Sequence, residues 1–503
     1  MRTHIGICIL TAVALAFYVV RALAEQARYA TTGYDLGIFD QAVRAYAHFR
    51  APMVALKGSG ANILGDHFHP IIALLAPLYW LWDSPNMLLI AQAVLTAATL
   101  PVVYRFTRRR ASTSVALGFA AIFAFGWGVQ SLIDFDFHEV AFATPLLALA
   151  IDALDRRNDR QLILWASLLL FVREDMGVLV AVLAVLLVCQ RRSNRRWLLP
   201  IGIFAAGVAA YILTTHVLIP HFATGHEFAY NSQFGALGSS VTSALANCVT
   251  HPWLAIHTFF TPYRKTQTLL LLLVPFAFLP LRSRYALIAL PLLAERFFNT
   301  RSNLWMSAFH YNALPWLIFT LAAADAGARF GLFRDRRWAI LIRRPLVTLM
   351  VLAPLAFIQL GSHVGVLPFT ELRGPAYQVR ADWLASAKAV VAYLPSNVCV
   401  VADNHLVPHL TNRDRTTVAE SNPPMPDFVA LDTDAPDTGG NPPAPKPDDV
   451  IAAALSLGYR TVFSAGPFEV LQSPTYTGPS EQCRPLGTGK PESLARLLPD
   501  GPD

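Results

Sequence analysis

Long apolar stretches alternate with short polar ones along the first part of the chain, and this alternation predicts a bundle of membrane helices. A membrane-spanning helix needs about 20 mostly apolar residues. Roughly eleven stretches approach that length, although several are shorter. They lie near residues 4–23, 86–106, 113–133, 139–154, 161–172, 176–190, 197–218, 266–283, 284–298, 310–328 and 345–362.

The segment from Pro70 to Trp82 is apolar but shorter than a membrane span. If it crossed the bilayer, the arginines at 108–110 would move to the outer side, where basic residues are disfavoured. We therefore expect a re-entrant or interfacial helix in this segment.

Short basic runs between the apolar segments predict how the helices are oriented. Lys and Arg near helix ends stay in the cytoplasm, so we expect a cytoplasmic N-terminus and an extracytoplasmic C-terminal region. The first apolar stretch is then a retained helix, since no clean signal-peptidase site follows it. The basic runs lie at 108–110, 156–160, 191–196, 282–284 and 329–344.

The pattern changes near residue 363, which predicts two domains, 1–362 in the membrane and 363–503 outside it. Short β-rich runs and one helical run in the second part indicate a small α/β domain. Its Pro-rich and Gly-rich stretch 432–448 is expected to be a loop, and the residues after about Pro474 a tail. The predicted strands are Ser396–Ala402, Asp427–Leu431 and Tyr459–Ser464, and the predicted helix is Asp448–Leu457.

Composition supports a membrane protein. The chain is 54% hydrophobic and 15% charged, whereas soluble proteins carry about 25% charged residues. The net charge of +7 does not indicate nucleic acid, because the basic residues fall in short runs between apolar segments. We expect the lipid bilayer as a partner and no nucleic acid.

The five cysteines show no spacing typical of a zinc site. Cys399 and Cys483 both lie in the predicted extracytoplasmic region, where a disulfide between them can form. Two cysteines alone do not establish that bond.

Four groups of ionisable residues interrupt the apolar pattern, and the predicted topology places all of them on the outer face. Ionisable residues at membrane depth are costly unless they are paired or face water, so they commonly mark a functional site. The groups are Asp35 with Asp40, Asp66-His67-Phe68-His69, Asp134 to Glu139, and Arg173-Glu174-Asp175.

Several strings in the chain resemble an uncharacterised bacterial family of predicted polytopic membrane proteins, a domain of unknown function grouped with the GT-C glycosyltransferases. The resemblance covers about Tyr34 to Leu471, and its most specific parts are YDLGIFDQ and LGDHF. The strings are YDLGIFDQ from Tyr34, LGDHFHPIIALLAPLYWL from Leu64, DFDFHEVAFATPLLALA from Asp134, VREDMG from Val172, FHYNALPWL from Phe309, DNHLVPHLTNR from Asp403 and DFVALDT from Asp427.

The GT-C resemblance implies an α-helical bundle in the bacterial inner membrane. It implies transfer of a sugar from a polyprenyl-phosphate donor to an extracytoplasmic acceptor in the cell envelope. The catalytic carboxylates of such enzymes lie in the first outer loop, where this chain has Asp35 and Asp40. The usual Asp-Glu pair is missing, which leaves the choice of base open.

Each of these two carboxylates also has a purely structural interpretation. A sugar transfer needs a carboxylate that takes the proton of the acceptor hydroxyl. Asp35 can equally be a helix N-cap, and Asp40 can simply lie on a solvated helix face.

Arg173 is a candidate ligand of the donor phosphate, because a guanidinium fork matches phosphate oxygens. In the GT-C pattern a basic residue at a comparable short hairpin plays that part, and Glu174 beside it is a further candidate substrate contact. The alternative is an internal Arg–Glu pair that neutralises the tip of a short hairpin. His138, His310 and Tyr311 are further candidate donor contacts, although a Tyr at an interface is often only an anchor.

A divalent cation, Mg or Mn, is a candidate cofactor, with Asp66, His67 and Asp136 as its ligands. Asp66 to His69 can instead form an ordinary helix start before Pro70. Asp136 and its neighbours can form an interfacial turn, but carboxylates this close repel each other and need a cation, a basic partner or a proton.

The favoured function is therefore a GT-C-type membrane glycosyltransferase. A transporter or flippase for a lipid-linked or anionic substrate is the first alternative, although we find no internal repeat typical of transporters. A non-catalytic membrane scaffold is the second alternative, and it predicts that the four groups do not meet in space.

Overall fold

The computed structural model describes residues 2–190, 197–333, 381–419, 425–440, 444–480 and Cys483. Within these ranges the chain is mostly helical and has one small sheet near its C-terminus. Four predicted features lie outside the described residues. They are the basic run 191–196, most of the basic stretch 329–344, the apolar segment 345–362 and the tail beyond residue 483.

The helices of the first part follow one another closely, with short turns between them. Their bounds are α1 Arg2–Ala27, α2 Ile38–Ala47, α3 Ala76–Tyr79, α4 Asn86–Ala98, α5 Leu100–Arg108, α6 Thr113–Phe125, α7 Trp127–Asp134, α8 Val140–Asp155, α9 Asp159–Leu169, α10 Met176–Gln190, α11 Leu198–Leu213, α12 Ile219–Phe222, α13 Val241–Thr250, α14 Pro252–Phe260, α15 Tyr263–Leu273, α16 Ala289–Phe297, α17 Ser302–Trp305 and α18 Ala313–Arg329.

Three helical stretches are long and apolar enough to cross a membrane, among the residues described. They are His4–Ala27, Asn86–Arg108 and Leu198–Phe222. The pair Thr113–Phe125 and Trp127–Asp134, bent by 41°, is a fourth if it counts as one span. The other predicted crossings that fall within the described residues correspond to shorter or interrupted helices, so the expected number of about eleven remains a prediction.

Helix α18 forms the centre of the bundle. Its residues from Ala313 to Gly327 are all buried, and it packs against α5, α6, α7, α8 and α16. A helix that is apolar on every side belongs in an interior, and the small side chains of Ala322, Ala323 and Ala324 let the neighbouring helices approach closely.

Helices α10 and α11 pack at a close glycine contact. A Cβ on Gly177 would lie 2.5 Å from the carbonyl oxygen of Gly207, and a Cβ on Gly207 would lie equally close to that of Gly177. Small residues allow this approach, which is typical of membrane helix pairs. Helix α10 also follows α9 directly, so Arg173 to Asp175 lie at a hairpin tip as predicted.

The predicted spans 266–283 and 284–298 are not continuous helices. Helix α15 ends at Leu273, directly before Val274 and Pro275. Residues Ala277 and Phe278 then adopt left-handed conformations, and 3-10 turns lead into α16. Val274, the residue before Pro275, keeps helical backbone angles, so the interruption comes from the two left-handed residues that follow.

The segment after Pro70 forms a 3-10 helix from Pro70 to Leu75 and the short helix α3. Together they are too short to cross a bilayer. The backbone N–H of Ile71 donates to the carbonyl of Phe171 at 3.1 Å, which places this segment against the α9–α10 tip.

The C-terminal part is a small α/β unit. Helices α19, Ala381–Tyr393, and α20, Pro447–Ser456, accompany a mixed sheet in the order β2-β1-β3-β5-β4. The three predicted strands correspond to β1, β3 and β4, whereas β2 and β5 were not predicted. The strands are β1 Cys399–Ala402, β2 Arg415–Thr417, β3 Phe428–Asp432, β4 Arg460–Ala465 and β5 Phe468–Gln472.

Strands β2, β1 and β3 are parallel, β5 pairs antiparallel with β3, and β4 pairs antiparallel with β5 and so runs in the direction of the first three. Strands β1 and β3 are buried along their whole length, as expected of parallel strands covered on both faces. Cys399 at the start of β1 is bonded to Cys483, with a Cα–Cα distance of 5.4 Å.

Candidate functional site

Asp35 lies in a π-helical turn, Gly33–Gly37, that leads into α2. Its carboxylate is 3.2 Å from Nε2 of His138, and its side chain is 32% exposed. Asp35 sits inside the first turn, where Thr32 holds the N-cap position. The N-cap interpretation therefore does not describe Asp35, which presents a partly exposed carboxylate to a histidine.

The loop between α7 and α8 supplies that histidine. The backbone N–H of His138 donates to Oε1 of Gln92 at 3.0 Å, and Nε2 of Gln92 donates to the carbonyl of Leu132 at 2.8 Å. Asp136 in the same loop accepts the backbone N–H of Thr32 at 2.9 Å. One buried glutamine of α4 thus orders the loop, and Asp136 ties it to the turn that carries Asp35.

The His138 ring stacks on the ring of His310, with centroids 3.7 Å apart. His310 opens the turn before α18 and is 3% exposed, and its Nδ1 has no hydrogen-bond partner within the described structure. The ring of Tyr311 lies 4.1 Å from that of His310. The predicted pair His310-Tyr311 therefore lies beside His138.

Arg173 contacts the same loop from the α9–α10 tip. Its guanidinium binds Asp175 through Nε at 2.8 Å and Nη2 at 2.7 Å, and Nη1 lies 3.2 Å from Glu139. Because Glu139 directly follows His138, Arg173 and Asp35 are linked through two consecutive residues.

Glu174 faces the other way from the tip. Its carboxylate pairs with Nδ1 of His67 at 2.7 Å and accepts the backbone N–H of Phe68 at 3.1 Å. The predicted alternative of an internal Arg173–Glu174 pair is not what forms, because the partners of Arg173 are Asp175 and Glu139.

Asp66, next to His67, makes the last of these contacts. It pairs with Lys57 at 2.9 Å and accepts the hydroxyl proton of Tyr230 at 2.7 Å. The Tyr230 ring stacks on His67, with centroids 4.6 Å apart, and the guanidinium carbon of Arg301 lies 5.5 Å from that ring. Lys57 and Arg301 therefore add positive charge beside Asp66 and Tyr230.

These contacts join side chains from distant parts of the chain into one connected set, which we call the Asp35 cluster. The connection runs through ion pairs, hydrogen bonds and stacked rings, through the peptide link between Arg173 and Glu174, and through the backbone of Thr32. Its members are Asp35, Lys57, Asp66, His67, Asp136, His138, Glu139, Arg173, Glu174, Asp175, Tyr230, His310 and Tyr311.

Asp40 and Asp134 are not part of the Asp35 cluster. Asp40 is fully buried, binds Arg44 through both carboxylate oxygens at 3.0 and 3.1 Å, and accepts the Tyr79 hydroxyl at 2.7 Å. Asp134 accepts Nε of Arg21 at 2.8 Å and so ties α1 to α7. Both contacts are of the kind that stabilises packing.

Crowding of carboxylates and imidazoles changes their protonation. Burial and the neighbouring Asp35 carboxylate raise the pKa of Asp136 to about 7. Burial disfavours the charged form of His138, but the carboxylate of Asp35 outweighs it and the pKa of His138 is raised. Burial acts likewise on His67, where Glu174 prevails and raises the pKa to about 9.

The three candidate metal ligands fall into separate contacts. Asp66 pairs with Lys57, His67 with Glu174, and Asp136 with Thr32. Among the residues that the structure describes, no group of three or more His, Cys, Asp or Glu side chains is arranged to hold a metal ion. This donor arrangement does not fit a divalent cation, and we derive no step through one.

Several members of the site were not predicted. Lys57, Tyr230, Arg301, Thr32 and Gln92 each stand alone among neutral or apolar neighbours, so no local cluster marks them. The surroundings of Gln92 give the one usable signal, since an amide inside an apolar stretch needs partners at membrane depth.

The arrangement can carry out proton transfer beside an anionic group. Asp35 supplies an accessible carboxylate, His138 holds it, and Arg173 and Lys57 supply positive charge. Carboxylates and imidazoles within hydrogen-bond distance are the usual general acids and bases.

Comparison with known proteins identifies the family. A family described as "Predicted membrane protein (DUF2079)" matches residues 27–446. No curated protein matches the chain. The match covers most of the chain, including every member of the Asp35 cluster, and the chain therefore belongs to this family of predicted membrane proteins.

Proposed function

We propose that this member of the predicted-membrane-protein family is a GT-C-type glycosyltransferase of the bacterial inner membrane. It would move a sugar from a polyprenyl-phosphate donor to an extracytoplasmic cell-envelope acceptor. The observation that carries the proposal is the Asp35–His138 pair, because a partly exposed carboxylate is held by an imidazole inside a charged cluster.

Asp35 is the general base of this reaction. The oxygen of the acceptor hydroxyl attacks the anomeric carbon of the sugar, and its proton passes to the Asp35 carboxylate. The bond from the anomeric carbon to the phosphate oxygen breaks, and its electron pair leaves with polyprenyl phosphate. His138 keeps Asp35 oriented.

The donor phosphate belongs on the side of the cluster that carries Arg173, Lys57 and Arg301. Charge develops on the phosphate as the bond breaks, and fixed positive groups stabilise it. The Arg173 guanidinium is held in a fixed position by Glu139 and Asp175. Lys57 and Arg301 line the same side through Asp66 and Tyr230.

The disulfide supports the proposal that the C-terminal domain lies outside the cytoplasm. Such bonds persist outside the cytoplasm, and Cys399–Cys483 lies in the domain that follows the membrane helices. The Asp35 turn contacts this domain directly, since Gly33 N–H donates to the carbonyl of Asn404 at 2.7 Å. Both therefore lie on one side of the membrane.

The experiment offers the detergent-purified protein a panel of radiolabelled polyprenyl-phosphate sugars and measures transfer or hydrolysis. We expect cleavage of at least one donor, with loss of about 10²–10⁴-fold in Asp35→Asn. Asp83→Asn is the matched control, since Asp83 is 50% exposed and pairs with Arg44 outside the Asp35 cluster.

Two results would contradict the proposal. One is full activity in Asp35→Asn, which would remove the base. The other is movement of intact donor across a vesicle membrane without any cleavage, which would indicate the flippase function instead.

A further inference from the structure

The C-terminal domain contacts the turn that carries Asp35. Strand β1 ends at Ala402, and the residues after it run to His409 along the segment between α1 and α2. We propose that this domain is a positioning element for the active site, with Asn404 as the residue that fixes the Asp35 turn. The proposal rests on the proposed function of Asp35.

Asn404 binds two consecutive backbone N–H groups of the turn. The N–H of Gly33 donates to the Asn404 carbonyl at 2.7 Å, and the N–H of Tyr34 donates to Oδ1 of Asn404 at 2.9 Å. The first N–H groups of a helix have no acceptor within that helix. Asn404 therefore caps the Asp35 turn from another domain, where Thr32, the residue at the N-cap position, makes no side-chain cap.

Asn404 is itself held in place. The N–H of Asp403 donates to the carbonyl of Ala430 in β3 at 2.8 Å, and Oδ1 of Asp403 accepts the N–H of His405 at 2.8 Å. On its other side, a Cβ added to Gly439 would lie 2.4 Å from the Cβ of Asn404. The sheet, a side-chain turn and a loop thus determine where Asn404 points.

The two segments fit closely around this contact. A Cβ on Gly33 would lie 2.5 Å from Val407, so the approach requires glycine. The Tyr29 ring stacks on His409 with centroids 3.5 Å apart, and Nδ1 of His405 lies 3.2 Å from the carbonyl of Thr31. The contact is therefore an extended packed surface.

The Asp35 turn is held from two sides. Asn404 holds Gly33 and Tyr34 from the C-terminal domain, while Asp136 holds the backbone of Thr32 from the loop before α8. Asp35 follows directly and meets His138. A small shift of a catalytic group lowers the rate strongly, so loss of the Asn404 cap should lower turnover more than donor binding.

The first experiment tests whether Asn404 holds the Asp35 turn and does not depend on enzymatic activity. Hydrogen exchange of the peptide that contains Gly33 and Tyr34 is compared in the full-length wild type and in Asn404→Ala. We expect about tenfold faster exchange at Tyr34, because its N–H loses the Oδ1 acceptor, whereas the N–H of Gly33 keeps the backbone carbonyl of residue 404. Exchange in α8 should be unchanged. Equal exchange in the two proteins would contradict the claim that Asn404 holds the Asp35 turn, whatever the enzymatic activity is.

The second experiment uses the donor cleaved by the wild type and separates kcat from KM. We expect Asn404→Ala to lower kcat about tenfold with KM within about twofold, and Asn404→Asp, which keeps an acceptor oxygen for Tyr34 N–H, to recover most of kcat. Asn158→Ala is the matched control, because Asn158 caps the N–H of Gln161 at α9.

The outcomes distinguish the two claims. If Asn158→Ala lowers kcat as much as Asn404→Ala, the effect is one of general stability and the positioning role fails. If no donor is cleaved by the wild type, the proposed function fails, while the exchange experiment still decides whether Asn404 holds the turn.

Discussion

A network of charged side chains lies at each end of helices α8 and α18, and the two networks differ in the cations that pair with their carboxylates. The Asp35 cluster lies where both helices begin. Where they end, Asp152, Asp155 and Asp325 meet a set of arginines that we call the arginine network. Its arginines are Arg105, Arg109, Arg110, Arg156 and Arg329.

The arginine network matches its carboxylates with permanent cations. Asp152 is fully buried, yet nitrogens of Arg105, Arg109 and Arg156 lie 2.6 to 2.9 Å from it. Arginine does not lose its proton in proteins. The arginines of this network therefore stay charged, and their ion pairs join α5, α8 and α18.

The Asp35 cluster uses imidazoles where the other network uses arginines. Its carboxylates outnumber Arg173 and Lys57, and two of them pair with the imidazoles of His67 and His138, side chains that can gain or lose a proton. Asp35 itself remains partly exposed. The two networks therefore differ in solvent access and in the kind of cation that meets the carboxylates, and this difference is why the proposed function rests on the Asp35 cluster.

The largest effect should come from the arginine network. Asp152→Asn leaves arginines without their buried partner and should lower the free energy of unfolding by about 3–5 kcal/mol. Thermal unfolding in detergent measures the loss, and turnover per folded molecule should be unchanged. A large loss of turnover in the folded fraction would show that the two networks are coupled.

The next effect separates the networks by activity. His138→Gln removes the ring that holds Asp35 and stacks on His310, so kcat should fall by about 10–100-fold. Folding should change little. His48→Gln is the control, since His48 is exposed. Within the described structure, the hydrogen bond of its ring is to the carbonyl of Arg44.

The smallest effect is a pH dependence of stability. Glu174 raises the pKa of His67 to about 9 in the folded protein. The pair therefore stabilises fully below the unfolded value near 6.5 and loses this contribution as pH rises through about 9. Because His67 is 31% exposed, we expect only about 1–2 kcal/mol.

Glu174→Gln tests the origin of that dependence. The variant should lose most of the fall in melting temperature between about pH 6.5 and 9. The wild type and the variant are measured in the same buffers, none of which contains a primary amine. An unchanged slope in Glu174→Gln would mean that another group, such as Asp136, sets the dependence.

Hydrophobic periodicity is local, so it predicted most of the apolar helices and three of the five strands, but not the breaks between residues 266 and 298. The sequence also marked the clusters that hold Asp35, His138 and Arg173. It did not separate Asp35 from Asp40, since only the fold places Arg44 and Tyr79 around Asp40. Contacts such as Asn404 with Gly33 join residues hundreds of positions apart, and no local pattern reports them.

Strands β2 and β5 were missed for a related reason. The three residues of β2 are too few for an alternating pattern, and β5 follows β4 through a tight turn that contains Gly466 at φ 55°. Both strands depend on pairing with distant partners, which the local sequence does not specify.

The most direct test of the central claim compares donor cleavage in Asp35→Asn and Asp40→Asn at equal amounts of folded protein. The account predicts that Asp35→Asn loses cleavage by about 10²–10⁴-fold, whereas Asp40→Asn is less stable but cleaves normally once folded. Normal cleavage in Asp35→Asn, or loss confined to folded Asp40→Asn, would contradict it.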